Sequence, residues 1–229
     1  MRIKNWYQER LKKEWRQKHI EKRPKDESPI MSFLLLFSIV FSYVLSNTLI
    51  INPNTPFWLV FLVMLFLIIL LLYSYKYESL YQMIRPNWKT IFIHTTALVI
   101  VYTLLALFLI HIGKATTQTN QTTVVELIKQ RPIRMTLFSC LLAPCFEEYL
   151  FRQLLPRFFE KTIKISFLYG LVLSGLLFLY LHHPVGFAGM ALYGLLTIAF
   201  SYTRYASTFL TSTGVHILWN TLVFIPFLL

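Results

Sequence analysis

The sequence predicts an all-α fold, a polytopic helical membrane bundle of about seven transmembrane helices behind a basic N-terminal arm. Three observations predict it. Apolar runs of about twenty residues recur along the 229-residue chain, the length a helix needs to cross a hydrocarbon core roughly 30 Å thick. Hydrophobic residues make up 56% of the chain and charged ones only 14%, with a mean hydropathy of +0.56. The runs are continuous, which excludes the alternating pattern of a membrane β-barrel. The formal charge of +12 would suggest nucleic acid in a soluble domain, but here the Lys and Arg residues lie mostly between the apolar runs. There they serve as orientation signals and as contacts to anionic lipid, so the expected partner is the bilayer and not nucleic acid.

Residues 1–29 form the arm, in which ten basic residues face five acidic ones. Glu9–Lys13 and Glu14–Lys18 are four apart and favour a helix. Trp6, Tyr7, Leu11 and Trp15 suit the headgroup level, or a membrane-protein partner on the cytoplasmic side. Pro24 and Pro29 end the arm. Residues 30–229 follow as one transmembrane domain. The first span is expected over 31–51, then the uncharged turn Asn52-Pro53-Asn54-Thr55-Pro56, then a second span over 57–73. A connector, 74–90, carries Lys76, Glu78, Arg85 and Lys89. The third span, 91–112, holds His94 and His111 near its ends, within reach of water. Residues 113–131, rich in Thr and Gln, read as a connector, and Pro132 opens the fourth span. The fifth is expected over 165–181, with His182-His183-Pro184-Val185-Gly186 turning the chain, the sixth over 187–202 and the seventh over 208–227.

The charged leader is too long for a signal-peptide n-region and no small-residue cleavage site follows the first run, so that run is expected to stay as an anchor. Cys140 and Cys145 are five apart within one helix, which rules out a disulfide between them and leaves them as small packing residues. If every span crosses, the arm, the 74–90 connector, the Arg157–Lys161–Lys164 region and Arg204 fall on one side. The chain is then a multi-pass cell-membrane protein with a cytoplasmic N-terminus.

The chemistry sits in three stretches. In Glu147-Glu148-Tyr149-Leu150-Phe151-Arg152, Glu148 and Arg152 are four apart and share a helix face, so they can pair. Glu147 points about 100° away and is the free carboxylate. Charge at this depth costs roughly 2.5–3.5 kcal/mol per residue even on the lenient scale, and one arginine does not neutralise two carboxylates. Pro144 leaves the carbonyl of Cys140 without its helical donor and can kink the helix before the site. Phe178 and His182 share a face, and so do His216 and Asn220 in the last span. A carboxylate that takes a proton from water, with imidazole and amide donors for the oxyanion, is a hydrolytic set. Zinc held by Glu147, His182 and His216 is the rival chemistry for the same residues. Neither H-E-x-x-H nor G-x-S-x-G occurs, and the preferred reading is metal-free with no cofactor.

Height along the helices constrains this set. A fourth helix ending at Arg152 would leave its carboxylates at the cytoplasmic end, far from His182 at the outer end of the fifth. Continuing the helix through 154–159 raises Glu147 about 18 Å above that end, level with His216 and Asn220 at about 12–20 Å. His182 joins them only if the fifth helix starts late, near Leu168, or tilts.

In order and approximate spacing, Glu147-Glu148-x-x-x-Arg152, Phe178-x-x-x-His182 and His216-x-x-x-Asn220 resemble the motifs of the CAAX protease and bacteriocin-processing family, also called Abi, of intramembrane endopeptidases. The resemblance covers about residues 133–220. It implies that Glu147 and His182 activate water, that His216 and Asn220 form the oxyanion site, and that Glu148 and Arg152 support them. Gln153 stands where many relatives have glycine. The function expected is cleavage of a membrane-embedded or lipidated peptide, with roles in bacteriocin immunity, peptide processing or surface regulation among those the family offers. The alternative is a non-catalytic scaffold or immunity protein that regulates a sensor kinase or transporter, with the same polar cluster used for packing. A proton-coupled transporter ranks third, because no inverted repeat is visible.

Overall fold

The computed structural model of the chain describes residues 29–52, 54–77, 86–114 and 119–227. The arm before Pro29 and the connector segment 78–85 lie outside them. Among the described residues the fold is all helical, without strands. Eight helices follow one another: α1 Pro29–Ile51, α2 Phe57–Tyr77, α3 Trp88–His111, α4 Thr119–Gln130, a long interrupted α5 over 132–162, α6 Phe167–Leu181, α7 Gly186–Ala206 and α8 Phe209–Phe224, which runs on into the 3₁₀ turn Ile225–Phe227. Seven of them match the predicted spans. The eighth, α4, corrects the reading of 113–131 as a plain connector. Its Val124, Val125, Leu127 and Ile128 pack on the core while the rest of the helix is polar, so it is amphipathic, and the Thr and Gln content had hidden that. The second span is also longer than predicted, reaching Tyr77.

Among the described residues, three helices are long and apolar enough to cross a membrane: Trp88–His111, Gly186–Ala206 and Phe209–Phe227. Their large apolar side chains face outward, as with Leu104 at 61% exposed and Ile198 at 68%. A water-soluble monomer rarely exposes so much contiguous apolar surface, whereas lipid solvates it.

Helix starts are fixed by caps. Asn87, Ser166 and Thr208 each accept a hydrogen bond from the backbone N–H three residues on, at the starts of α3, α6 and α8. The Thr211 hydroxyl also accepts from the Asn87 N–H at 3.0 Å, which levels the starts of α3 and α8. At the opposite end of the bundle, Arg134 donates from Nη2 to the carbonyls of Leu49 (2.8 Å) and Asn52 (3.1 Å). Arg131 adds a bond to Asn52 at 3.2 Å. Two arginines at the start of α5 thus satisfy carbonyls that the end of α1 leaves open. The turn between α6 and α7 needs left-handed backbone, with φ +47° at His183 and +63° at Gly186.

α5 is not a uniform α-helix. It runs as α over Pro132–Thr136, π over Leu137–Leu142, α over Ala143–Glu148, π over Tyr149–Leu154 and α over Leu155–Thr162. Each π segment ends against a proline. In π register the carbonyl five residues back is the acceptor, so Pro144 orphans Ser139 and Pro156 orphans Phe151. This corrects the expectation that Cys140 loses its donor. Neighbouring helices satisfy both carbonyls: Asn220 Nδ2 donates to Ser139 O at 2.9 Å, and Ser174 Oγ donates to Phe151 O at 2.6 Å.

The α5–α6 hairpin sets the height of the site. α5 continues to Thr162, and α6 starts at Phe167, within a residue of the expected late start. Glu147 precedes Thr162, and His182 follows Phe167, by the same fifteen positions, or roughly 22 Å at helical rise. The hairpin closes tightly because Gly170 sits on Pro156. A Cβ at Gly170 would lie 2.7 Å from the Pro156 carbonyl oxygen and 3.0 Å from its Cα. Gly170→Ala is therefore expected to lower stability by about 1–3 kcal/mol, read as a fall in the thermal midpoint of the detergent-purified protein. Backbone, not a flexible side chain, blocks the space.

Candidate active site

The three motifs meet. Glu147, Glu148 and Arg152 come from the middle of α5, Phe178 and His182 from the end of α6, and His216 and Asn220 from α8. Glu148 and Arg152 have no exposed surface, and Arg152 Nε lies 3.6 Å from Glu148 Oε1. The same oxygen lies 3.0 Å from His216 Nδ1, and Ser212 Oγ donates a short hydrogen bond to Oε2. A carboxylate buried in an apolar bundle needs this density of partners. The supporting role expected for Glu148 therefore extends further, because this side chain also orients His216.

Aromatic faces hold the cation and the imidazoles. The Arg152 guanidinium lies 4.0 Å from the centroid of the Phe178 ring, and the His182 ring is 4.1 Å from that centroid. His216 stacks on Phe200 at 4.2 Å with planes 20° apart. Phe178 is thus more than a spacer in its motif: it carries the arginine and the histidine together.

Hydrogen-bond chemistry assigns the ring nitrogens. His182 Nδ1 is 2.8 Å from the carbonyl of Phe178, which can only accept, so Nδ1 carries the hydrogen and Nε2 is left for other partners. His216 Nδ1 likewise faces an ion-paired carboxylate and carries a hydrogen. Its Nε2 lies on the far side of the ring, 3.7 Å from Glu147 Oε2.

Glu147 retains 15% of its side-chain surface, in contrast to its buried neighbour. It lines a cavity of about 230 Å³ together with His182, His216, Asn220 and Tyr43. Volume of that size admits several waters or part of a peptide. Glu147 was expected to be the free carboxylate, but its Oε1 accepts a hydrogen bond from Tyr43 at 3.0 Å. Asn220 gives one amide hydrogen to Ser139 and has a second. The zinc alternative does not fit well: no group of three or more His, Cys, Asp or Glu among the described residues is arranged to hold a metal ion. Cys140 is buried and Cys145 partly so, and both are free thiols.

Sequence reasoning missed Tyr43, Ser139, Ser174, Phe200 and Ser212. Tyr43 lies 104 positions from its partner and shares no motif with it. Ser212 stands one turn before His216, so helical spacing places it on the motif face, and that signal was available in the sequence.

Residues 129–222 match the family model for type II CAAX prenyl endopeptidase Rce1-like proteins. The chain is also 29% identical over 143 residues to the UPF0177 protein YvdC of Lactococcus lactis subsp. lactis, a match covering 59% of this chain and 53% of that protein. The aligned part therefore spans about half the length of that curated relative. No solved structure matches. The matched segment contains all three motifs, α5 through most of α8, and over these residues the chain is similar to the type II CAAX prenyl endopeptidase Rce1-like proteins, which is consistent with the CAAX protease and bacteriocin-processing resemblance.

Proposed function

We propose that the protein is an intramembrane endopeptidase in which Glu147 activates a water for attack on a peptide carbonyl. The observation that supports this best is the placement of Glu147. It is the exposed member of the carboxylate pair, it borders a cavity inside an apolar bundle, and His216 Nε2 lies 3.7 Å away. Water attacks the carbonyl carbon as its proton passes to Glu147. His182, fixed through Nδ1 to the Phe178 carbonyl, receives the second water hydrogen bond on Nε2. In its doubly protonated form His216 gives Nδ1–H to Glu148 and presents Nε2–H to the oxyanion, with the second amide hydrogen of Asn220 as the other donor. The intermediate then collapses, the C–N bond breaks, and the proton on Glu147 passes to the leaving amine.

The substrate class in this reading is a membrane-embedded or lipidated peptide. The family model carries prenyl endopeptidase in its description, which makes a prenylated peptide the first probe, while the apolar cavity lining suits an unmodified transmembrane peptide as well. The proposed topology is multi-pass, with seven crossings and a cytoplasmic N-terminus. The capped starts of α3, α6 and α8 fall on the cytoplasmic side, and α4 lies along the outer surface. Reporter fusions should then place residue 1 inside and residues 114–118 outside, and the opposite result at either point would overturn the arrangement.

The two carboxylates separate in a mutant test. Two quenched fluorogenic peptides, one prenylated at a C-terminal cysteine and one not, are presented to the full chain in nanodiscs. Glu147→Gln should lower cleavage at least about a hundredfold at an unchanged thermal midpoint. Glu148→Ala should instead cost about 3–5 kcal/mol of stability, because it leaves Arg152 buried and unpaired. Cleavage should persist in a zinc chelator. Wild-type rates in Glu147→Gln would reject the assigned base, and loss of cleavage on chelation would restore the metal alternative.

A further inference from the structure

We infer that Tyr43 of α1 is a positioning residue for Glu147, a role that rests on the reading of Glu147 as the base. The side chain crosses from a helix that lies outside the matched segment, and its hydroxyl donates to Glu147 Oε1 at 3.0 Å. The ring is held by two faces of α5, stacked 5.5 Å from Phe146 and 6.4 Å from Phe138. Those two residues flank the Pro144 interruption, so α1 grips α5 where its backbone departs from α geometry. Tyr43 also lines the cavity, beside the carboxylate it holds.

The geometry divides the carboxylate of Glu147. Oε1 is occupied by the phenol, and Oε2 is turned toward His216 Nε2. A carboxylate free at both oxygens can take several staggered rotamers in a cavity this large. The phenol hydrogen bond selects one and costs little entropy, since stacking already fixes the ring. Only Oε2 then faces the space shared by His182 and His216, where the water must sit. Tyr43 needs no proton transfer of its own: the phenol donates throughout, to the ionised carboxylate before attack and to Glu147 Oε1 when Oε2 bears the proton.

The test compares wild type, Tyr43→Phe and Tyr43→Leu as full chains in nanodiscs. Tyr43→Phe keeps the stacking on Phe138 and Phe146 and removes only the hydroxyl. The first readout does not need a substrate. Dicyclohexylcarbodiimide, a membrane-permeant reagent that adds to a protonated carboxyl, is followed on the Glu147 peptide by mass spectrometry. With Oε1 uncovered, Glu147 in Tyr43→Phe should be labelled about fivefold faster or more, at an unchanged thermal midpoint. The second readout is cleavage of the fluorogenic peptides. There Tyr43→Phe should lower kcat about tenfold with KM unchanged, the size expected for one hydrogen bond to a charged group. Tyr43→Leu should show the same defects together with a lower thermal midpoint. Labelling and kcat both at wild-type values in Tyr43→Phe would overturn the proposal and leave Tyr43 as packing. Faster labelling in a protein whose wild type cleaves no peptide would support the positioning of Glu147 and count against the protease reading. Wild-type cleavage in Glu147→Gln with faster labelling in Tyr43→Phe would do the same for the assigned base.

Discussion

The interaction on which the rest depends is the satisfaction of Glu148. A carboxylate with no exposed surface inside an apolar bundle is costly unless several donors reach it, and a single cation seldom suffices. Glu148 has partners from two helices: the charge of Arg152 one turn on in α5, at 3.6 Å, and hydrogen bonds from Ser212 and His216 one turn apart in α8. The pair on α8 fixes how far that helix can slide or rotate against α5, because a shift of one residue would break both contacts. Arg152 in turn needs a second partner for its charge, and the Phe178 face supplies it from α6. Three helices are thus locked around one carboxylate, and the more exposed Glu147 inherits its position from that lock.

The interruptions in α5 explain how the lock can form. An unbroken α-helix through 132–162 without prolines would satisfy its interior carbonyls and give α6 and α8 no backbone to bind there. Two prolines behind π segments leave two carbonyls open, one on each side of the Glu pair. Asn220 takes the first and Ser174 the second. An open carbonyl at membrane depth has no water to meet, so these bonds act as latches as well as caps. Asn220 therefore has a structural task beside the one its motif implies.

Most of the fold was legible because crossing a bilayer imposes a length that composition reveals. Seven apolar runs became seven helices, and the late start of α6 followed from the need to bring His182 level with Glu147. The motif residues were legible because spacing of four puts polar groups on one face. What escaped had no such signal. α4 carries its apolar residues as two adjacent pairs, Val124-Val125 and Leu127-Ile128, in an otherwise polar stretch of low overall hydropathy, and composition masked them. The π register was not legible, since it depends on tertiary donors, and with it went the identity of the orphaned carbonyl: Ser139 in place of Cys140. Tyr43 is one of 13 tyrosines and sits on the first apolar run without a charged residue or motif to mark it.

The positions of the two carboxylates argue for a division of labour that their adjacency conceals. Consecutive residues on a helix point about 100° apart, so the pair straddles the boundary between the packed core and the cavity. The core-facing carboxylate has a hydrogen-bond donor on each oxygen, an arginine beside it and no exposed surface through which water could reach it. The cavity-facing one has a single phenol on one oxygen and a histidine nitrogen near the other, the arrangement the proposed base would need. His216 connects the two, with Nδ1 on the core-facing carboxylate and Nε2 toward the cavity-facing one. A single imidazole that bridges both makes the geometry of the proposed reactive centre depend on the same bond that holds the helices together. The core cannot loosen around Glu148 without moving the donor that the oxyanion would need.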